Sequence, residues 1–144
     1  MAKKGPKPPL TGTPTARDPE ALADAVRQFN SWRFWDCHET LEELWQQEET
    51  ALADLYQGLI KAAAGFHHLL RRNGRGARLL LSGALSLLAP FPPRCLGLDL
   101  EGLREGIGRC KEHLDALGEE GVGRFDLSLI PAIDYRPEEG HGAA

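Results

Sequence analysis

Apolar residues recur every three or four positions along most of this chain, and prolines, glycines and short polar runs interrupt them. That pattern predicts five helices. Asp18-Pro19-Glu20 is a helix start, a capping carboxylate followed by proline at the first helical position. Leu22, Val26 and Phe29 then mark one face as far as about Asn30. Ser31 is expected to cap a second helix with a stripe of Phe34, Leu41 and Trp45, broadened by Cys37 and Leu44. A third stripe runs through Leu52, Leu55, Tyr56, Leu59, Ala63, Phe66 and Leu70 to Asn73-Gly74. The fourth helix is placed after Gly76, with Leu80, Ala84, Leu87 and Leu88 inward, and ends before Pro90, since the F-P-P segment cannot continue it. Asp99 caps a fifth, with Leu100, Leu103, Ile107, Cys110, Leu114 and Leu117 on one face and Gly118 beyond its end.

Between the fourth and fifth helices the residues from Pro90 to Leu98 form a short, stiff linker. Gly102 and Gly106, one turn apart, mark a close backbone approach. The segment R-F-D-L-S-L-I-P-A-I-D-Y alternates apolar and polar residues and is expected to lie extended across the bundle. No internal repeat stands out, and strand signals are weak. The expected architecture is an all-α, single-domain bundle of about five helices over residues 18–136, with flexible tails at 1–17 and 137–144. His141, in the second tail, is expected to be solvated.

A length of 144 residues suffices for one buried core without staples. The formal charge of -4 and the isoelectric point near 5.7 argue against a domain whose main task is to neutralise phosphates. Three cysteines, Cys37, Cys95 and Cys110, stand at wide, unpatterned spacing and read as reduced packing residues rather than a disulfide framework or a nucleophile. No stretch approaches the ~20 apolar residues needed to span a bilayer, and the start lacks a hydrophobic signal core, so a cytoplasmic protein is expected.

Candidate chemistry concentrates in F-N-S-W-R-F-W-D-C-H-E-T-L-E-E-L-W, Phe29 to Trp45. At 100° per residue His38 turns toward the apolar stripe, Glu42 lies at its edge, and Glu39 points outward. His67 faces inward on the next helix and His68 outward. One reading is a site for zinc, iron or another divalent metal with His38, Glu42 and His67 as ligands and Glu39 as base on bound water. That would make a hydrolase or oxidoreductase. The H-E-x-x-H helix of zinc proteases fails at its second histidine, where Glu42 stands, and the paired E-x-x-H of a diiron bundle is missing. The other reading is a satisfied buried network of His38, Glu42, Tyr56 and Gln57 that fixes helix register or lines a small cavity and needs no metal. The run Arg71-Arg72-Asn73-Gly74-Arg75-Gly76-Ala77-Arg78 is a solvated turn between helices, or an anion- or RNA-binding turn through Arg71, Arg72, Arg75 and Arg78. Trp32, Trp35 and Trp45 read as core and rim packing rather than as a base-stacking platform, the alternative reading of three tryptophans in this stretch.

The ordered motifs F-N, F-W-x-x-H-E-x-x-E-x-x-W and Q-G-L-I, followed by N-G-R-G-A-R-L-L, resemble the small bacterial and archaeal proteins grouped as domain-of-unknown-function family 309. The likeness runs from about Phe29 to Leu88. It implies an all-helical bundle and puts Asn30, Phe34, His38, Glu39, Glu42, Trp45, Gln57, Gly58 and His67 at motif positions. Lys61 departs from the glutamine of many relatives. The family implies no activity. The leading expectation is therefore a non-enzymatic helical protein and a candidate homodimer, with metal enzyme and anion- or RNA-binding module as alternatives.

Overall fold

The computed structural model describes residues 5, 7, 10 and 12–137. Most of the expected C-terminal tail, His141 and seven of the first ten residues lie outside that set. Within the first tail, Leu10 and Ala16 pack against the core, and an Arg17 guanidinium nitrogen donates to the Gln47 carbonyl.

Five α-helices carry the fold: α1 (Pro19–Asn30), α2 (Phe34–Gln47), α3 (Leu52–Leu70), α4 (Gly74–Leu88) and α5 (Leu100–Leu117). Asp18 caps α1 by accepting the Ala21 amide at 3.0 Å, and Asp99 caps α5 through the Gly102 amide at 2.9 Å. Among the described residues no helix is long and apolar enough to cross a membrane.

Ser31 does not start α2 as expected; it closes α1. The Trp32 amide donates to Phe29 at 3.0 Å and the Arg33 amide to Gln28 at 2.8 Å, a pair of bonds that needs Trp32 in the left-handed region, at φ 61°. The end of α3 repeats this closure. Arg72 sits at φ 61°, its amide donates to Leu69 at 2.9 Å, and the Asn73 amide donates to His68 at 2.8 Å. α3 therefore stops at Leu70, and α4 begins at Gly74, three residues earlier than expected, capped by the Asn73 side chain.

The two closures lie forty residues apart, and so do the buried positions around them. Leu22, Ala25, Val26, Phe29, Phe34, Cys37 and Leu41 correspond to Ala62, Gly65, Phe66, Leu69, Gly74, Ala77 and Leu81, all buried. The chain thus contains a structural repeat, two copies of a helical hairpin, that the residues did not reveal: of these pairs only Leu41 and Leu81 share an identity. The same register corrects the inward face of α4 to Ala77, Leu81, Ala84 and Leu88 instead of Leu80 and Leu87.

α3 is the central helix, with α2 on one side and α4 on the other. α4 comes close because Gly58 and Gly65 present no side chain; a Cβ at either would stand 2.8 Å from Leu88 or Leu81. Phe29, Phe34 and Phe66 meet in the core with ring centroids 5.1 to 5.8 Å apart.

Beyond α4 the linker folds into a two-residue hairpin, β1 (Arg94–Cys95) and β2 (Leu98–Asp99), turned by Leu96 at φ 54° and Gly97 at φ 80°. Arg104 from α5 donates to the Leu88 and Phe91 carbonyls at 2.9 and 3.1 Å, which satisfies the C-terminal end of α4. The segment after α5 is not extended throughout. It makes two 3-10 helices, Glu119–Arg124 and Leu127–Leu129, before it straightens, and Tyr135 bridges to Leu98. The two α5 glycines serve different contacts: Gly106 admits Pro131, and Gly102 lies against its own cap, Asp99.

Candidate functional site

Trp35, His38 and Glu42 follow one another at three- and four-residue spacing on α2, so they share a face. That face meets the last turns of α3. The Trp35 indole stacks on the His38 imidazole with centroids 4.6 Å apart and planes 9° from parallel, and it leans on His67 at 5.2 Å and 45°. His67 in turn contacts His68 edge-on at 5.8 Å. Trp35 is 50% exposed, so it is a surface ring rather than the core or rim residue expected.

His38 is half-buried. Its Nε2 lies 3.7 Å from Glu42 Oε2, too long for a hydrogen bond, and its buried Nδ1 has no hydrogen-bond partner among the described residues. The expected network of His38 and Glu42 with Tyr56 and Gln57 does not form. Tyr56 is fully buried near the start of α3, and among the described residues its hydroxyl too lacks a hydrogen-bond partner. Burial pushes the Tyr56 phenol up, helped by the carboxylates of Glu48 and Asp18, and the ring stands toward the opposite end of α3 from His67. Eleven residues of helix separate Tyr56 from His67, about 16 Å.

Nor do His38, Glu42 and His67 converge as a ligand set. Among the described residues no group of three His, Cys, Asp or Glu side chains is arranged to hold a metal ion. Trp35 contacts both imidazoles. Glu39, the expected base, points away and lines an open cleft of about 280 Å³ with Gln28, Arg33, Asp36, Thr40 and Glu43. His67 is half-buried, and its imidazolium is disfavoured first by burial and then by the charges of His68, Arg71 and His38. His68 is half-buried as well, against expectation, and its Nδ1 engages the Asn73 side-chain nitrogen, Nδ2, at 3.1 Å.

The arginine turn adjoins this cluster, with Arg71 one helical turn after His67. Arg71, Arg72 and Arg75 are exposed and, among the described residues, pair with no carboxylate. Arg78 behaves differently: it reaches Asp115 of α5 at 3.7 Å. The Trp35–His67 contact joins the start of α2 to the end of α3, so the α1–α2 and α3–α4 turns share one end of the bundle. Trp32, 42% exposed, stands in the first of these turns.

The cysteines are buried and free, as expected. Burial pushes the Cys37 and Cys110 thiols up to about 12, so neither supplies a thiolate at neutral pH.

Residues 22–80 match the model of a family described as a domain of unknown function, DUF309. This is the family that the motifs resemble. DUF309 is matched over α1, α2, α3 and the first half of α4, the part that holds both hairpin turns and the aromatic cluster. The uncharacterized protein YpuF of Bacillus subtilis is 29% identical over 125 residues, which cover 84% of this chain and 69% of that protein. An uncharacterized protein of Aquifex aeolicus is 32% identical over 123 residues, 83% of this chain; the chain spans 33% of that relative's length.

Proposed function

We propose that this protein is a non-enzymatic recognition module whose binding surface is the turn end of the bundle, and that its ligand is an anion. The observation that carries this reading is the set of exposed arginines, Arg71, Arg72 and Arg75, which pair with no carboxylate among the described residues and stand at the same end of the bundle as the half-exposed Trp35 ring. In a chain with more acidic than basic residues, such arginines would readily find partners if stability alone governed their placement. Arg71 keeps the local field positive, while burial first and that neighbouring charge after it hold His67 toward its neutral form. An anion at this end would gain paired guanidinium donors and favour the imidazolium form of His67. His38 serves this surface by stacking beneath Trp35 and holding the indole in place.

The test is a titration with inorganic polyphosphate at low salt, followed by tryptophan emission. Saturable binding is expected in the native chain. It should be lost in the triple variant Arg71→Ser, Arg72→Ser, Arg75→Ser, whose melting temperature should stay within a few degrees of native because the replaced groups are exposed. Absence of binding at about 50 mM salt, or equal binding by the triple variant, would overturn the reading.

A further inference from the structure

Resting on the anionic-ligand reading, we infer that the turn end binds single-stranded nucleic acid, with bases on Trp32 and Trp35 and phosphates on Arg71, Arg72 and Arg75. Three independent observations converge on that end.

The charge of the chain is divided rather than mixed. From Leu55 to Leu98 the sequence holds six lysines or arginines and no aspartate or glutamate, leaving eleven basic against twenty-one acidic residues elsewhere. A net charge of -4 therefore conceals a positive segment, and three of its four exposed arginines, Arg71, Arg72 and Arg75, lie in and just beyond the α3–α4 turn, while the fourth, Arg94, is in β1 and pairs with Asp134.

Backbone strain sits at the two equivalent positions of the repeat. Trp32 and Arg72 both adopt φ 61° where glycine or asparagine is favoured. The closure itself asks only for a left-handed residue. A tryptophan and an arginine there carry strain, and both present exposed side chains at the same end of the molecule.

Chemical type then separates the candidate anions. Trp35 is held by imidazoles on α2 and α3 and is half open, so it can take a flat ring. A second exposed indole stands three residues earlier. Aromatic faces combined with free guanidinium groups suit unstacked bases on a phosphate backbone, since every base offers a flat face. A duplex hides those faces. An anionic membrane would call for a broader apolar surface than two indoles and Leu70 supply.

The decisive experiment measures fluorescence anisotropy with a labelled twelve-nucleotide oligo(U), a duplex of equal length, inorganic polyphosphate and phosphatidylglycerol vesicles. Oligo(U) is expected to bind best. Neutralising about three phosphates gives a log–log salt slope near -2, roughly a twenty-fold loss between 50 and 200 mM salt. Trp35→Ala should weaken oligo(U) roughly 5- to 100-fold while leaving polyphosphate nearly unchanged, and Trp35→Phe should restore most of the loss. Trp32→Gly should raise the melting temperature by relieving strain and yet weaken oligo(U), an opposition that a purely structural tryptophan would not produce. Equal affinity for the duplex, preferential binding to vesicles, or oligo(U) affinity untouched by both tryptophan changes overturns the inference. Polyphosphate binding without preference for oligo(U) overturns it while leaving the anionic reading intact. If nothing binds, both fall.

Discussion

Replacing Asn30 with alanine should detach the C-terminal segment from the bundle while leaving the helices folded. The Asn30 side-chain amide nitrogen donates to the Ile133 carbonyl at 3.0 Å, and its carbonyl oxygen accepts the Ile133 amide at 2.7 Å. One side chain thereby satisfies both backbone groups of a buried residue 103 positions away. Ile133 in turn shares a small apolar pocket with Leu22, Phe29, Cys37 and Leu59. Each hydrogen bond contributes about 0.5 to 1.5 kcal/mol net, and stranding buried partners adds to the loss. Alanine is the better helix former by roughly half a kcal/mol, which offsets part of it. The expected cost is about 1 to 3 kcal/mol. With an unfolding entropy of about 2.1 cal/mol/K per residue over some 120 ordered residues, that is roughly 4 to 12 °C in melting temperature. Asn30→Asp keeps the acceptor but turns a carboxylate oxygen toward the Ile133 carbonyl, so it should not rescue. Amide hydrogen exchange separates local from global loss: residues 130–136 should lose protection by more than the drop in global stability accounts for. A variant within 0.5 kcal/mol of native with Ile133 still protected would refute the argument.

Other expected outcomes follow from the same geometry. Gly97→Ala puts a side chain at φ 80° with its Cβ 2.2 Å from the Arg136 carbonyl oxygen, so it should cost about 2 kcal/mol or more, read as a lowered urea midpoint. His38→Phe keeps a ring against Trp35 and removes the unpartnered buried Nδ1, so stability should stay level or rise by up to about 1 kcal/mol; a clear loss would mean that the imidazole has a partner or ligand. Elemental analysis of protein purified without an affinity tag should find no stoichiometric zinc, iron or manganese, and a metal that vanishes with His38→Ala would contradict the donor geometry described above. His67 binds its proton less readily folded than unfolded, first because of burial, so the unfolded chain gains protons sooner on acidification. The stability contributed by neutral His67 is complete above its ordinary value of 6.5 and is lost as pH falls through the lower folded value. His67→Gln should flatten the decline in urea midpoint between pH 7.5 and 5.5.

The elements legible in the sequence are those fixed by local chemistry. Asp18-Pro19, Asp99 and Gly118 act within one turn of themselves, so α1 begins, and α5 begins and ends, where those residues imply. The closures at Trp32 and Arg72 were hidden because neither residue is one that usually adopts φ above zero. On α4 the run Leu79-Leu80-Leu81 offers three inward residues of equal hydrophobicity, and the small Gly74 and Ala77, against which the helices close, select Leu81. The polar cluster was misjudged by register. With Trp35 meeting His67, the α2–α3 reversal is centred near Ala51, whereas a pairing of Glu42 with Tyr56 requires a centre near Glu49. That shift brings His67 to the indole and leaves Tyr56 far away. The partner of Asn30 is backbone, which no side-chain pattern can announce.

The repeat shows what the fold does and does not demand of these residues. Two hairpins bury corresponding positions and close with the same left-handed turn, yet from Asp18 to Thr50 there are nine acidic and two basic residues, whereas from Gly58 to Pro90 there are five basic and none acidic. One frame therefore tolerates opposite surface charge, and the charge of the second copy is not a requirement of its packing. Arg75 occupies the place in the second hairpin that Trp35 has in the first, and Arg78 the place of His38. Arg78 is tied to Asp115 on α5, while Arg75 extends into solvent without a carboxylate. Core and caps thus account for Leu81, Gly65 and Asn73, but for neither Arg72 nor Arg75. Arg72→Gly relieves the φ 61° strain, so it should stabilise the chain by a few tenths to 1 kcal/mol, measured as a raised urea midpoint. If it instead destabilises, the guanidinium contributes to the fold near Gly123, and the case for a surface kept for a ligand loses one of its three supports.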